Sequence, residues 1–470
     1  MVERGERIHV IGIAGSGAAG TAVLLQHAGA RVDGCDVEGP SPYTPPLDVH
    51  GIRWQIGHDP AHLGGIDRVA ISPALRAASP NAELAAADAR RIPVTTWQAL
   101  LGELMAASGR IGIGVTGTHG KSTTTALLGH LLVSAGLDPT VEVGAFVGAW
   151  GASVRPGDGA LFVVEADEFG DNFLNYRPAI SIVTNLEMDH PDYFADVAAV
   201  TDSFERFVRG MRSNPALEAR LLVIGAQDPG AAELADRLGD WDGRMIRYGP
   251  GGDVAATEVI RDRDGTRFRL FDRAWETSLA GEHNVLNATA ALIVGKELGA
   301  DLEVLGEGLR TFRGAGRRME LIVDTPRVTI YDSYDHHPTE VRAALSAARQ
   351  KVGSPRRLWA VFEPHMYSRT ALLMDAFATA FGDADEVVIA DIFASRDTPA
   401  AMAATSAEAL ADAIERTSGV PTIATGDVDA TTEYVADHLA DGDAVVVLGA
   451  GKSYRIARGL AERLAPEPPA

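Results

Sequence analysis

The run Ile111-Gly-Ile-Gly-Val-Thr-Gly-Thr-His-Gly-Lys-Ser-Thr-Thr-Thr125 constrains the fold more than any other stretch of the chain. β-branched residues and glycines lead into Gly117, Thr118, His119, Gly120, Lys121, Ser122 and Thr123, and then Ala126, Leu127, Leu128, Leu131 and Leu132 recur at helical spacing. The pattern predicts a strand, a glycine loop and a helix. Backbone N–H groups of such a loop turn inward on a phosphate, and the helix dipole adds to the attraction. A lysine reaches the terminal phosphates, and a hydroxyl can hold Mg²⁺. The spacing departs from the strict phosphate-loop pattern, because the position five before Gly120 is Val115 rather than glycine. An ordinary strand-to-helix turn is the plain alternative. Lysine usage favours the phosphate reading. Of 42 basic residues only Lys121, Lys296, Lys351 and Lys452 are lysines, so Lys121 is an exception to a habitual arginine, and a compact ammonium suits a phosphate clamp.

Composition narrows the partners. A formal charge of -22 argues against nucleic acid or an anionic membrane, which are held by clustered Lys and Arg. Nucleotide binding is therefore expected to be local. The single cysteine, Cys35, excludes an intramolecular disulfide and a zinc cluster built on cysteines, and it fits a reducing compartment, with the cytoplasm as the expected location. The apolar run from Ile8 to Ala30 is broken by His9, five glycines, Gln26 and His27. It reads as a glycine turn rather than a membrane or signal segment. No stable protein partner is expected. At 470 residues the chain has room for about three domains.

At the N-terminus a strand over 8–13 precedes Gly15-Ser16-Gly17-Ala-Ala-Gly20 and a helix from Thr21 to His27, and a second strand ends at Asp36. Glycines at this spacing with an acid about 20 residues on form a dinucleotide fingerprint. Taken alone it suggests NAD, yet the same turn would seat the diphosphate of any nucleotide-linked ligand. The run Ile71-Ser72-Pro-Ala-Leu75 reads as a later strand end on the ligand side, and the domain is expected to close near 108.

Beyond the loop, an apolar strand over 159–164 runs into Glu165-Ala-Asp-Glu168, and a buried strand that delivers carboxylates beside a phosphate loop suits a metal held near phosphates. A further strand over 179–184 leads to Asn185-Leu-Glu-Met-Asp-His190, which places His190 for metal or phosphate contact. The Arg-rich stretch 257–271 reads as a solvated hairpin. Gly281-Glu-His-Asn284-Val-Leu-Asn287 opens a helix whose polar side chains suit a base or ribose, with helix capping as the alternative. Strands over 328–331, 358–362, 386–389 and 444–448 alternate with helices and predict another doubly wound domain. Its strand ends carry Asp332, the cluster Tyr334-Asp-His336-His337-Pro338, and Glu363-Pro-His365-Met366-Tyr367-Ser-Arg369. Gly449-Ala-Gly-Lys-Ser453 imitates a second phosphate loop, but its glycines are too close and it reads as a turn.

The series Gly-Thr-His-Gly-Lys-Ser-Thr-Thr, Glu-Ala-Asp-Glu, Asn-x-x-x-Asp-His, His-Asn-x-x-Asn, Gly-Arg-Arg, His-His-Pro-Thr-Glu and Pro-His-x-Tyr-Ser-Arg, behind a glycine-rich N-terminal domain, resembles the Mur ligases, and within them the alanine-adding branch. The resemblance implies an α/β chain of three domains. These are a Rossmann-like UDP-sugar domain over 1–108, a central P-loop ATPase over 109–314, and a Rossmann-like amino-acid domain over 315–470. It implies ATP and Mg²⁺ as cofactors, and UDP-N-acetylmuramate and an L-amino acid, alanine in that branch, as substrates. The sugar's carboxylate would be phosphorylated by ATP and the acyl phosphate attacked by the amine.

Carried over residue by residue, the resemblance assigns Lys121 to the β- and γ-phosphates, Ser122 and Glu165 to one metal, and His190 to the second. Asn284 and Asn287 fall to the ATP site, Arg317 or Arg318 to the γ-phosphate, and Asp332 to the ribose. His336, His337, His365, Tyr367 and Arg369 lie on the amino-acid side, and Gly15, Ser16, Gly17, Asp36 and Ser72 at the UDP-sugar. Some relatives hold the second metal through a carbamylated lysine. No lysine occurs between Lys121 and Lys296, which agrees with the alanine-adding branch. Three positions depart from that branch: Met366 stands where it has an arginine, Phe169-Gly170 where it has Ser-Asp, and Asp335 where it has a glycine. They bear on the choice of amino acid. The rival readings are a sister ligase that adds a peptide, such as a murein-peptide recycling ligase, and an NAD-dependent oxidoreductase.

Overall fold

The computed structural model describes residues 1–37, 39–72, 81–353 and 355–464. They form two compact units, one of 1–187, 197–255 and 287–309, the other of 188–196, 256–286 and 310–470. Residues 73–75 of the expected strand end lie outside the described residues.

The first unit contains two sheets. In the N-terminal one, β1 (Arg7–Ile11), β2 (Arg31–Asp36), β3 (Arg53–Ile56), β4 (Arg68–Ile71) and β5 (Val94–Thr96) pair in the order β3-β2-β1-β4-β5, and every pairing is parallel. The order reverses between β1 and β4, the position at which such sheets bind ligands beyond their carboxyl ends. The helix after β1 spans Ser16–His27 and so begins five residues before the sequence placed it. Gly17 and Gly20 lie inside it rather than in the turn. A Cβ on Gly17 would come within 2.4 Å of the Trp97 ring, and one on Gly20 within 3.4 Å of Val154. Gly17 lets the helix approach the ring of Trp97, which begins the helix Trp97–Met105, and Gly20 lets it approach the strand Ala152–Arg155 of the neighbouring sheet.

The second sheet runs β12 (Arg244–Tyr248), β11 (Leu221–Gly225), β10 (Ile180–Val183), β6 (Ile111–Thr116), β9 (Leu161–Glu165), β7 (Thr140–Val147), β8 (Ala152–Arg155). Only the edge strand β8 is antiparallel. The continuous apolar runs of β9, β10 and β11 are buried on both faces, as parallel strands covered by helices require.

In the second unit, β13 (Thr257–Arg261), β14 (Thr266–Leu270) and β15 (Arg273–Thr277) form a small antiparallel sheet. The stretch expected to be a solvated hairpin is half buried, since Thr266, Phe268 and Leu270 point inward. Gln350 Nε2 donates to the carbonyls of Asp262 at 3.0 Å and Gly265 at 2.8 Å, tying this sheet to the helix Pro338–Val352. The six-stranded sheet follows the order β16 (Glu320–Asp324), β17 (Val328–Ser333), β21 (Asp443–Leu448), β18 (Leu358–Phe362), β19 (Glu386–Ala390), β20 (Thr422–Gly426). It is parallel except for β16. Gly449 to Ser453 form a tight turn in which Ser453 N donates to Glu363 Oε2 at 2.7 Å.

Candidate functional site

The phosphate-loop candidate lies between the carboxyl ends of three parallel strands. β6 delivers the loop, and the register pairs Val115 with Glu165 of β9 and Thr116 with Val183 of β10. Gly117 has φ +134°, and a Cβ there would lie 2.0 Å from Thr184 Oγ1, so no side chain fits. Gly120, at φ +80°, precedes the helix Lys121–Ser134, and a Cβ there would meet Asn287 Oδ1 at 2.8 Å. The end of β10 grips the loop from the other side. Thr118 N donates to Asn185 O at 3.1 Å, His119 N donates to Asn185 Oδ1 at 2.7 Å, and Thr184 Oγ1 donates to His119 O at 2.6 Å.

The charged side chains of the loop are already engaged. Lys121 Nζ donates to Gly117 O at 2.7 Å and forms a salt bridge with Glu168 at 2.9 Å. Burial opposes its charge, but Glu168 and then Asp167 more than offset that and hold its pKa above the usual lysine value. Ser122 Oγ donates to Glu165 Oε1 at 2.8 Å, and Gly144 N donates to Glu165 Oε2 at 2.6 Å. Glu142 is buried behind this pair. Burial, and then the charges of Glu165 and Asp167, push its carboxyl well above the usual range. Thr123 is buried in the first turn of the helix.

At the N-terminal sheet, Gly15 precedes the helix beginning at Ser16, and Ala14 N donates to Asp36 Oδ2 at 2.9 Å. Asp36 thus fastens the glycine turn. Ser72 follows β4 at the order reversal.

A second cluster belongs to the other unit. Arg369 is only 1% exposed. Its Nε and a terminal nitrogen lie 2.9 and 2.7 Å from Asp189 Oδ1, and its other terminal nitrogen is 3.1 Å from His365 Nδ1. The guanidinium therefore faces Asp189 and His365. Burial opposes the charge on Asp189, yet His190 and Arg369 hold its carboxyl far below the usual range. Burial, and then Arg369, lowers His365 to about 4 and His336 to about 3, so both rings are neutral at pH 7. His190, with φ +52°, donates its backbone N–H to Asp189 Oδ1 at 2.7 Å. The structure thus groups His190 with Arg369, His336 and His365.

His337 caps the helix Pro338–Val352, its ring accepting from Thr339 N while Glu340 closes the box. Tyr367 begins the helix Tyr367–Leu372, and Met366, buried with φ +71°, precedes it. A terminal nitrogen of Arg396 lies 3.9 Å from Met366 Sδ. A cation therefore stands beside the position where the branch has an arginine. Asp335, the acid at a glycine position, accepts from Ser333 Oγ at 2.5 Å and lies 3.4 Å from Arg318.

Arg317 bonds Asp332 Oδ2 at 3.0 Å, Gly449 O at 2.7 Å and Ser453 Oγ at 2.8 Å. Asp332 Oδ1 is buried without a hydrogen-bond partner, an acceptor that a hydroxyl donor would satisfy. Asn284 Nδ2 donates to Ala280 O at 2.7 Å, while Asn287 is buried one turn along the same helix. Sequence reasoning quoted Asn185 and Glu168 within motifs but gave them no role, and it missed Glu142 and Gly144 because their acid and backbone N–H meet Glu165 only across the sheet.

Doubly wound sheets with a glycine loop, its lysine and a strand-end carboxylate define a nucleotide-phosphate-binding α/β enzyme. Three family models match in order: "Mur ligase family, catalytic domain" over 7–108, "Mur ligase middle domain" over 115–295, and "Mur ligase, glutamate ligase domain" over 317–451. The chain belongs to the Mur ligase family. It is 40% identical to the UDP-N-acetylmuramate–L-alanine ligase of Mycolicibacterium vanbaalenii, covering 95% of this chain and 94% of that protein. It is 38% identical to the ligase of that name from Gloeobacter violaceus, covering 99% and 97%. Among solved structures it resembles the UDP-N-acetylmuramate–alanine ligase of Thermotoga maritima, with TM-score 0.80, 25% identity, and 97% and 98% coverage. A murein peptide ligase from Psychrobacter arcticus shares the fold, with TM-score 0.68 and 24% identity over 99% and 100% of the two chains.

Proposed function

We infer that the protein is an ATP-dependent ligase that joins the lactyl carboxylate of UDP-N-acetylmuramate to L-alanine through an acyl phosphate, in peptidoglycan precursor synthesis. The observation that carries this reading is the loop 117–122 with Lys121 and the Ser122–Glu165 pair beside it. A carboxylate and an ammonium at pH 7 form a salt rather than an amide, so the oxygen must first become a phosphate leaving group shielded from water.

The residues present fit Mg-ATP. Ser122 Oγ and Glu165 are hard oxygen donors at the helix start, suited to Mg²⁺, and Asp332 Oδ1 is a buried acceptor in want of a donor. When bound, Mg²⁺ would neutralise phosphate charge. In this reading Lys121 exchanges Glu168 for the β- and γ-phosphates, and the loop amides at 117–120 hold the phosphate oxygens. Asn287, against Gly120, and Asn284 support the nucleotide. Arg317 holds Asp332, Gly449 and Ser453 and Arg318 lies beside Asp335, and one of the two is the arginine assigned to the γ-phosphate. Gly15, Ser16, Gly17 and Ser72 seat the UDP-sugar, with Asp36 holding their turn. His336, His337, His365 and Tyr367 receive the amino acid, Arg369 positions Asp189 and His190, and His190 takes a second metal. The family relatives and the absence of a membrane-length apolar helix among the described residues are consistent with a cytoplasmic enzyme.

The test is phosphate release from ATP, measured with each substrate left out in turn. Release should require UDP-N-acetylmuramate and L-alanine together. Equal release with ATP alone would discard the ligase reading, and a preference for a peptide over alanine would favour the peptide-adding relatives.

A further inference from the structure

The N-terminal sheet carries a second constellation that the ligase chemistry does not use. His9 of β1 and Cys35 of β2 point to the same face, because the strands pair His9 with Asp33 and Ile11 with Cys35. Over this face lie the turn Pro60–Leu63, which brings His62, and the helix Ala82–Ala89, which brings Glu83 in its first turn. Asn81 caps that helix by accepting from Glu83 N at 2.9 Å, which fixes where the Glu83 carboxylate begins. Glu83 and Cys35 are both fully buried.

The donor atoms converge on one point. Cys35 Sγ is 3.0 Å from Glu83 Oε2 and 3.2 Å from His58 Nδ1, and His58 Nδ1 is 3.2 Å from Glu83 Oε2. On the other carboxylate oxygen, His62 Nδ1 lies at 2.6 Å and His9 Nε2 at 3.5 Å. One donor atom from each of His9, Cys35, His62 and Glu83 lies within 4.8 Å of all the others. Around a tetrahedral ion with bonds of about 2.0–2.3 Å, ligand atoms stand about 3.3–3.6 Å apart, so the cluster needs only small adjustments to close on one.

Two further observations point to an ion rather than to a network held by protons alone. First, a carboxylate offers about four lone-pair sites. Cys35, His58, His62, His9 and the Asp59 N–H at 3.3 Å all turn toward Glu83. Consistent with that crowding, His9 Nε2, on a ring 1% exposed, comes no closer to the carboxylate than 3.5 Å. Second, His9 Nδ1 is 2.5 Å from Asp33 Oδ1. A metal-ligating histidine characteristically gives its other ring N–H to such a carboxylate, which orients the ring and raises its basicity.

We propose that His9, Cys35, His62 and Glu83 form a binding site for one zinc-class divalent ion inside the N-terminal domain, with His58 beside it and Asp33 orienting His9. One thiolate, imidazoles and a carboxylate are a donor set for zinc or cobalt rather than for magnesium. A cysteine ligates as its thiolate, so the ion displaces the thiol proton as it binds, and a proton leaves to solvent. The site lies one residue before Asp36, which holds the glycine turn, and its role is to lock β2 against the elements that cover it.

The experiment is a titration of the untagged, chelator-treated full-length protein with Co²⁺, followed by displacement with Zn²⁺. The expected result is one equivalent bound, with a thiolate-to-cobalt band in the near ultraviolet and the strong visible bands of four-coordinate cobalt, all erased by zinc. Cys35→Ser should remove the near-ultraviolet band, and Asp33→Asn should weaken binding by about 10–100-fold. If Cys35→Ser does not fold, His62→Ala supplies the variant, with the visible bands as its readout. A cobalt spectrum that stays six-coordinate in the wild-type protein, or a near-ultraviolet band indifferent to Cys35→Ser, would overturn the proposal. Neither outcome touches ATP or the ligase reading.

Discussion

Arg369 and Asp189 are separated by 180 residues in sequence, yet they form the most deeply buried ion pair of the second unit among the described residues, at 1% and 9% side-chain exposure. Removing one partner of such a pair leaves an uncompensated buried charge and costs about 3–5 kcal/mol. Arg369→Met strands Asp189, whose backbone-derived donor, the His190 N–H, offsets only part of that charge. At about 2–4 °C per kcal/mol for a body of this size, the unfolding midpoint should fall by about 6–20 °C. Asp189→Leu should cost a similar amount. The double variant should recover most of the loss, because an apolar pair of similar volume is often neutral. The assay is calorimetry of all four proteins, with amide exchange over 188–196 to locate the effect. A coupling energy below about 0.5 kcal/mol, the level of independent sites, would refute the claim that these charges hold the segment in place. So would a single variant that costs nothing.

Lys121→Ala should lower phosphate release by about 100–1000-fold, the scale for losing one preorganised electrostatic contact, while UDP-sugar affinity measured by calorimetry stays unchanged. Gly117→Ala must push its new methyl into Thr184 Oγ1, and should reduce ATP binding more than overall stability, as nucleotide titration beside thermal melting would reveal. Met366→Arg places a second guanidinium beside Arg396. If Arg396 already supplies the local cation, a panel of L-amino acids should show weaker rather than stronger use of alanine by the variant. Burial and Arg369 hold His336 at about 3, against about 6.5 in the unfolded chain. The unfolded state therefore takes up the proton first, and stability falls as pH drops from about 6.5 toward 3, by at most about 1.4 kcal/mol per pH unit for this ring. Denaturation midpoints for His336→Gln should show a shallower slope through that window.

Much of the fold was legible because parallel strands buried on both faces leave long apolar runs. Leu358–Phe362 and Asp443–Leu448 are of this kind, and they were placed within a residue. The edge strand Thr422–Gly426 was not, since an exposed edge with small and polar residues carries no such run. The start of the first helix was misplaced because glycines that serve helix packing look identical to glycines that serve a turn. The loop 117–122 was legible from local spacing. The clamp by Thr184 and Asn185, the pairing of Arg369 with Asp189, and the gathering of His9, Cys35, His62 and Glu83 were not, because each joins segments that only the tertiary structure brings together.

The lone thiol of Cys35 lies beneath the turn and helix that cover β2, with no surface in the closed molecule. In metal-free protein a thiol reagent can modify it only in those molecules whose first sheet has come apart locally. The rate of labelling therefore counts such openings with no engineered probe, and UDP-sugar should slow it in proportion to the fraction of sites it fills.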